Sequence, residues 1–277
     1  MEYWFTENQA GGLRISLQVE GVLERCRTPY QEAVVSRTAQ FGGMLTLDDV
    51  IQTTERDEFM YHEMICHVPM CSHPSPRKVL VVGGGDGGVV REILKHPVES
   101  VDLIEIDAKV VELARRHLPS ISCGLDDPRV RVTIGDGIEF VKSTSDAYDV
   151  IIVDSTDPVG PAVGLFAPDF FEAIKRALED DGMFVAQTGS PFYFPEEVGR
   201  VFRSVRGIFP VSGVYLGCVP TYPGGMWSYT IGSKAHGFAA PAKGRAVGTT
   251  RYYSPETHAA AFALPPFVKR ILEGDVD

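Results

Sequence analysis

Basic residues are the scarcer half of the charge in this 277-residue chain: 26 Lys and Arg stand against 37 Asp and Glu, for a formal net charge of −11. That balance argues against nucleic acid and anionic membranes as partners and suits a cationic ligand better. Long apolar runs are also missing. No stretch reaches the roughly 18 apolar residues of a membrane span, and no apolar segment follows the N-terminus, so neither a membrane anchor nor a signal peptide is expected. The five cysteines (Cys26, Cys66, Cys71, Cys123 and Cys218) are odd in number and lack the spacing of a disulfide framework. Reduced thiols in a cytoplasmic protein are the simplest reading. Internal repeats and low-complexity segments are absent. What remains, with 44% hydrophobic residues, is an ordinary globular composition with enough chain to bury a substantial core.

Missing motifs narrow the chemistry. No Gly-Lys-Ser/Thr occurs after the glycine-rich stretch, which excludes a P-loop, and no Gly-x-Ser-x-Gly elbow points to a serine hydrolase. His62, Cys66, His67, Cys71 and His73 lie close together in sequence, but Cys-x4-Cys-x-His is not a zinc spacing. Helix-face packing plus surface histidines is expected there, and no metal.

The most informative stretch present is Val79-Leu-Val-Val-Gly-Gly-Gly-Asp-Gly-Gly88. The run Lys78–Val82 reads as a fully buried parallel strand because Val79–Val82 is continuously apolar rather than alternating. Glycines directly after such a strand let the backbone turn sharply and approach a ligand with no Cβ in the way. Gly83, Gly85 and Gly88 fit G-x-G-x-x-G, a weak signal alone. The unusual feature is Asp86 inside the loop.

Around this stretch the chain divides in two. Residues 1–56 carry short β-type runs (Leu13–Val19, Glu32–Arg37, Met44–Leu47) between turn signals at Gly11-Gly12, Pro29, Gly42-Gly43 and Asp48-Asp49, which predicts a small antiparallel β domain. Such a unit is hardly stable alone and should pack on the main domain or on a partner subunit. Thr54-Glu-Arg-Asp57 resembles a capping box, opening a helix through about Val68 that Pro69 stops. Residues 57–277 form the second unit. Strands at 78–82, 101–106, 130–134, 149–153 and 183–187 alternate with helices at 88–95, 108–117, 137–143 and 167–179, the rhythm of a doubly wound parallel α/β sheet. A helix over Pro195–Phe209, a closing hairpin of Val214–Leu216 and Trp227–Ile231, and a Pro-broken helical tail from Tyr252 to Ile271 complete it.

In an open parallel sheet the ligand sits outside the carboxyl ends of the strands, so the residues at those ends spell out the site. They are Asp86, then Glu105 and Asp107, then Asp136-Gly137, then Asp154-Ser-Thr-Asp157, with Gln187 ending the fifth strand. Asp107 and Asp136 each precede a helix and are explained as caps. Asp86, Asp154 and Asp157 are not. Glu105 lies 22 residues after Gly83, the spacing at which an acid accepts hydrogen bonds from ribose hydroxyls. A dinucleotide would place its pyrophosphate on the helix N-terminus beside Asp86. Two like charges about 4 Å apart cost on the order of 4 kcal/mol at an effective dielectric near 20. A cationic nucleoside without phosphates, such as a sulfonium nucleoside, fits better. The Asp154/Asp157 pair is suited to the ammonium groups of a polyamine, and the Pro/Gly-rich segment 158–168 reads as a lid. Pro220-Thr-Tyr-Pro-Gly-Gly-Met-Trp227 offers Tyr222 and Trp227 as walls for an alkyl chain. On these residues alone, a methyltransferase using S-adenosylmethionine and a non-catalytic nucleoside- or polyamine-binding protein stay open beside a polyamine-forming transferase.

The segments Tyr30-Gln31, Asp57-Glu-Phe-Met-Tyr-His-Glu-Met64, Gly83–Gly88, Glu105-Ile-Asp107, Asp136-Gly137, Asp154–Pro161, Pro220–Gly225 and His258-Ala-Ala-Ala-Phe-Ala-Leu-Pro265 together resemble the spermidine synthases, or polyamine aminopropyltransferases. The resemblance implies a methyltransferase-like Rossmann domain carrying a small N-terminal antiparallel β domain, in a homodimer or homotetramer. It also implies aminopropyl transfer from decarboxylated S-adenosylmethionine, a co-substrate rather than a cofactor, to putrescine, with no metal. Carried across, Gln31, Glu105, Asp136, Gly137 and Pro161 would hold the nucleoside and Asp86 its aminopropyl ammonium. Asp154 would be the catalytic base, with Tyr61, Asp157 and Tyr222 around the small-molecule amine; His62 is implicated on both sides. Two departures are slight: His62, also common there, stands where many relatives have Gln, and Gly224-Gly225 replaces the more usual Ser-Gly.

Overall fold

The computed structural model describes residues 2–156 and 164–275. Two sheets organise them. The first is an antiparallel meander in the order β1-β2-β3-β4-β5, built from Tyr3–Ala10, Leu13–Arg27, Glu32–Thr38, Gly42–Leu47 and Val50–Thr54. The second has seven strands in the order β11-β12-β10-β9-β6-β7-β8. Its parallel part comprises β6 (Lys78–Gly83), β7 (Ser100–Glu105), β8 (Val130–Ile134), β9 (Tyr148–Asp154) and β10 (Leu178–Gly189), and its antiparallel edge is the hairpin β11 (Val211–Cys218) and β12 (Met226–Ser233). This strand order, closed by an antiparallel hairpin, is that of methyltransferase-like Rossmann folds.

The continuous apolar strands follow from burial on both faces. Val79 and Val81 of β6 pack into one core cluster with Val150 and Ile152 of β9, while Leu80 and Val82 pack into a second with Ile151 and Val153. Alternate side chains of one strand thus enter two cores. Helices α1 (Glu58–Ser72) and α2 (Gly88–Ile93) cover the first face; α6 (Pro168–Ala177) and α7 (Pro195–Ile208) cover the second. The remaining helices are α3 (Ala108–His117), α4 (Pro119–Ser122), α5 (Gly137–Lys142), α8 (Pro255–Ala261) and α9 (Pro266–Glu273). No helix among the described residues is long and apolar enough to cross a membrane.

Several expectations need correction. The N-terminal sheet has five strands rather than three. β1 and the outer half of β2 are largely exposed, so neither shows the core-facing apolar run that marks a strand in sequence. The last strand, β5, is reached through Asp48 and Asp49, both with left-handed φ (46° and 62°), a hairpin turn those residue types tolerate. α1 does not stop at Pro69 but runs to Ser72. The proline removes one helical donor, yet Ser72 Oγ donates to Val68 O at 2.7 Å and His73 N to Pro69 O at 3.0 Å, which carries the helix through a further turn. At the start of α1, Asp57 is the cap, and Thr54, still in β5, donates to it at 2.6 Å. β10 is longer than its apolar centre because its first residues pair irregularly with β9 between Leu178 and Met183.

The chain leaves β6 toward β7 and β8 on one side and returns to β9 and β10 on the other. β6 and β9 therefore flank the point where the winding direction reverses, the place where open α/β sheets bind ligands.

Candidate active site

At this reversal the two strand ends are locked together. Gly83 pairs with Asp154, and Gly84 N donates to the Asp154 carbonyl at 2.8 Å. A Cβ on Gly83 would lie 2.2 Å from that carbonyl oxygen, and its φ of +83° is left-handed; only glycine satisfies both demands. Above them opens a cavity of about 650 Å³, walled by the glycine turn, the ends of β7 and β9, the start of α5, and Tyr222 and Trp227 from the β11–β12 hairpin. A hollow of about 690 Å³ also lies over α3 and β8. It holds none of the strand-end acids, so the chemistry belongs to the first.

Asp86 turns its Oδ1 back to accept from Gly88 N at 2.9 Å, which opens α2, and its Oδ2 lies 3.4 Å from Nε2 of His62. Burial alone would raise its carboxyl, but the His62 charge outweighs that and holds it below the usual range. The His62 charge acts on Asp154 too, but there it does not outweigh burial. Asp154 Oδ1 accepts from the Tyr61 hydroxyl at 2.6 Å. Burial and the neighbouring Asp86 charge push it up to about 6, within reach of proton exchange near neutral pH.

On the β7 side, Glu105 accepts from Gly85 N at 3.2 Å and from Asp107 N at 2.8 Å. Burial nevertheless lifts it to about 7. Gln31 reaches over from the N-terminal sheet, its amide donating to Asp107 Oδ2 at 3.1 Å. Asp107 and Asp136 both cap helices, accepting from Lys109 N and from Ile138 N and Glu139 N. Asp136 and Gly137 also line the cavity.

Tyr222 donates to Gln52 O at 2.6 Å, and its ring meets Trp227 edge-on at 4.7 Å and Tyr61 at 5.6 Å. Aromatic walls and two acids at the bottom suit an alkyl chain ending in ammonium groups. Asp157 and Pro161 lie outside the described residues, as does most of the lid segment.

The structure also shows groups the sequence reading did not single out. Asp57 accepts from Thr221 N (3.0 Å) and Oγ1 (2.7 Å), tying the hairpin loop to α1 across 164 residues; no local pattern signals such a pair. Glu58 and Arg91 stand behind His62. The i,i+4 spacing of Glu58 and His62 is a signal that sequence does offer. Where metals are concerned, His62, Asp86 and Asp154 bring ligand atoms within 4.8 Å of one another, but both ring nitrogens of His62 already face carboxylates. Of the other clustered Cys and His residues, Cys66, His67 and His73 divide between two groups, each with ligand atoms within 4.8 Å of one another. Cys66 and His67 sit beside His96, and His67 also bonds Glu92 at 2.9 Å. His73 joins Asp181 and His236 and is 2% exposed, so it is not the surface histidine expected.

The fold and this acid-rimmed cavity define a Rossmann-type enzyme domain. Comparison with known proteins gives the particular family. Residues 58–241 match the spermine/spermidine synthase domain, and residues 3–55 match the spermidine synthase tetramerisation domain, which supports homo-oligomerisation. The polyamine aminopropyltransferase of Caldicellulosiruptor saccharolyticus is 52% identical over 276 residues, 99% of each chain, and that of Moorella thermoacetica 54% identical over 272, covering 98% of this chain and 96% of that one. A crystal structure of spermidine synthase in complex with the transition-state analogue AdoDATO superposes with a TM-score of 0.94 at 42% identity, covering 98% of this chain and 95% of that one. The spermidine synthase of Thermotoga maritima gives 0.91 at 42% identity, covering 98% and 94%. The chain belongs to the spermine/spermidine synthase family and is an enzyme of the polyamine aminopropyltransferase type.

Proposed function

We propose that this enzyme transfers the aminopropyl group of decarboxylated S-adenosylmethionine to putrescine, giving spermidine and methylthioadenosine. The observation that carries the reading is Asp86, an acid inside the glycine turn, lining one cavity with a second buried acid, Asp154, at the end of the neighbouring strand. The decarboxylated donor ends in a free ammonium, which Asp86 attracts; ordinary S-adenosylmethionine brings a carboxylate that Asp86 repels.

In this reading Gln31, Glu105, Asp136, Gly137 and Pro161 hold the nucleoside, while Tyr61, Asp157 and Tyr222 surround the acceptor. The acceptor nitrogen attacks the carbon next to sulfur, the carbon–sulfur bond breaks with its electron pair going to sulfur, and the nitrogen's proton passes to Asp154. Methylthioadenosine leaves as a neutral thioether. Holding nitrogen, carbon and sulfur in line supplies much of the rate. The same reading places residues 1–56 in an oligomer-forming β domain and 57–277 in the catalytic domain of a cytoplasmic homodimer or homotetramer, with no metal and no cofactor.

Incubation with decarboxylated S-adenosylmethionine and a panel of amines tests it. Methylthioadenosine release is expected with putrescine, ahead of cadaverine, agmatine and spermidine. Release with none of them overturns the reading, and calorimetric preference for S-adenosylmethionine itself would indicate a methyltransferase.

A further inference from the structure

Behind Asp86 runs a buried chain of alternating charge. His62 Nε2 lies 3.4 Å from Asp86 Oδ2, and His62 Nδ1 lies 2.6 Å from Glu58 Oε2. Glu58 is clamped in turn by Arg91, Nη1 to Oε1 at 3.1 Å and Nη2 to Oε2 at 2.7 Å. The His62 and Glu58 side chains are only 3% and 6% exposed. A two-point guanidinium clamp fixes the carboxylate in both charge and direction. The ring itself cannot withdraw: it sits against Gly88, where an added Cβ would lie 2.2 Å from His62 Cε1. Both ring nitrogens thus face carboxylates, and a neutral imidazole, which donates from one nitrogen only, would present a lone pair to one of them.

We propose that Glu58, held by Arg91, is a positioning residue for the donor site: it keeps both nitrogens of His62 protonated, and His62 in turn keeps Asp86 ionised and turned toward the cavity. This rests on the aminopropyltransferase reading for its substrate and on geometry alone for the relay. The groups facing His62 are Glu58 and Tyr61 from α1, Asp86 and the Gly88 backbone from the glycine turn, and Asp154 from β9, with Arg91 of α2 behind Glu58. Burial alone would lower the imidazolium; Asp86 and Glu58 outweigh it and raise His62 well above its ordinary value. Removing the Glu58 charge withdraws the part of that support that Asp86 does not supply. His62 then loses a proton as pH rises through its lowered midpoint, and Asp86 faces a ring that no longer offsets its charge.

The chain has seven histidines, few enough to assign by long-range proton–nitrogen NMR. In the ligand-free wild type, His62 is expected to show imidazolium nitrogens at pH 8. In Glu58→Gln its midpoint should fall by at least one pH unit. Above that midpoint the imidazolium no longer holds Asp86 in place, and donor affinity should change by at least about threefold, with kcat at saturating donor changed less than about threefold. Glu58→Asp, which keeps the carboxylate, should restore the wild-type pH profile. A neutral His62 in the wild type at pH 8 overturns the proposal, as does a Glu58→Gln protein whose His62 titration and donor affinity are unchanged. Because the wild-type NMR measurement needs neither variant nor substrate, it stands if Glu58→Gln fails to fold. It also separates the outcomes: an intact His62 relay in a protein releasing no methylthioadenosine sinks the activity, not the relay.

Discussion

The Tyr61 hydroxyl donates to Asp154 Oδ1 at 2.6 Å, joining the first turn of α1 to the end of the fourth parallel strand. The bond favours the ionised carboxylate, opposing the burial and the Asp86 charge that hold it up at about 6. Removing the hydroxyl leaves the His62 charge alone to oppose those two. In Tyr61→Phe the acid limb of kcat/KM, corrected for titration of the amine substrate, is expected to move to higher pH than the wild-type limb near 6, because kcat/KM reports ionisations of the free enzyme. A limb that stays in place or moves to lower pH would detach Asp154 from that limb.

Asp154→Asn keeps the shape of the side chain and the Tyr61 contact but cannot take a proton. As general base, Asp154 should account for at least about 10²-fold in kcat, with donor affinity nearly unchanged because Asp86 and Glu105 remain. Single-turnover measurement with donor prebound separates the chemical step from product release. A kcat within a few-fold of wild type would remove Asp154 from the role.

The main sheet was legible because its strands are buried on both faces: Val79–Val82 and Val150–Val153 can be little else than parallel strands, and the acids at their ends follow from chain direction. Asp86 and Glu105 were legible for the same reason. The N-terminal sheet was only half legible, since β1 exposes Tyr3 and Trp4 (62% and 56%) and a strand without a buried face leaves no apolar pattern. The continuation of α1 past Pro69 depends on Ser72 and His73 supplying bonds, which no propensity encodes. Asp57 to Thr221 and Gln31 to Asp107 are tertiary pairings between distant segments, and a single sequence carries no trace of them.

Asp57 accepts three hydrogen bonds, from Thr54 Oγ1, Thr221 N and Thr221 Oγ1, and is buried. Asp57→Ala leaves the Thr221 amide without its partner, at a cost of about 1–3 kcal/mol in stability. It also frees the loop that carries Tyr222. The acceptor KM should rise by about tenfold while the donor KM stays near wild type, since no nucleoside contact passes through this pair. Equal losses in both constants would mean that the loop is not an acceptor wall. Thermal unfolding of the folded variant reads the stability part separately.

Glu105 offers the cleanest titration. Burial raises it from the ordinary carboxylate range to about 7, so in the ligand-free protein the protonated form is favoured, and ionising it costs stability as pH rises from about 4.5 toward 7. Ribose hydroxyls are donors to the ionised form. Binding of a neutral nucleoside such as methylthioadenosine should therefore release a proton below pH 7. Its affinity should climb about tenfold per pH unit up to that point and level off above it. The neutral ligand keeps the charge of Asp86 out of the comparison. Glu105→Gln should flatten the profile and weaken binding at pH 8, and calorimetry in buffers of different ionisation enthalpy counts the proton directly. A wild-type affinity independent of pH between 5 and 8 would show that Glu105 does not hold the ribose as a carboxylate.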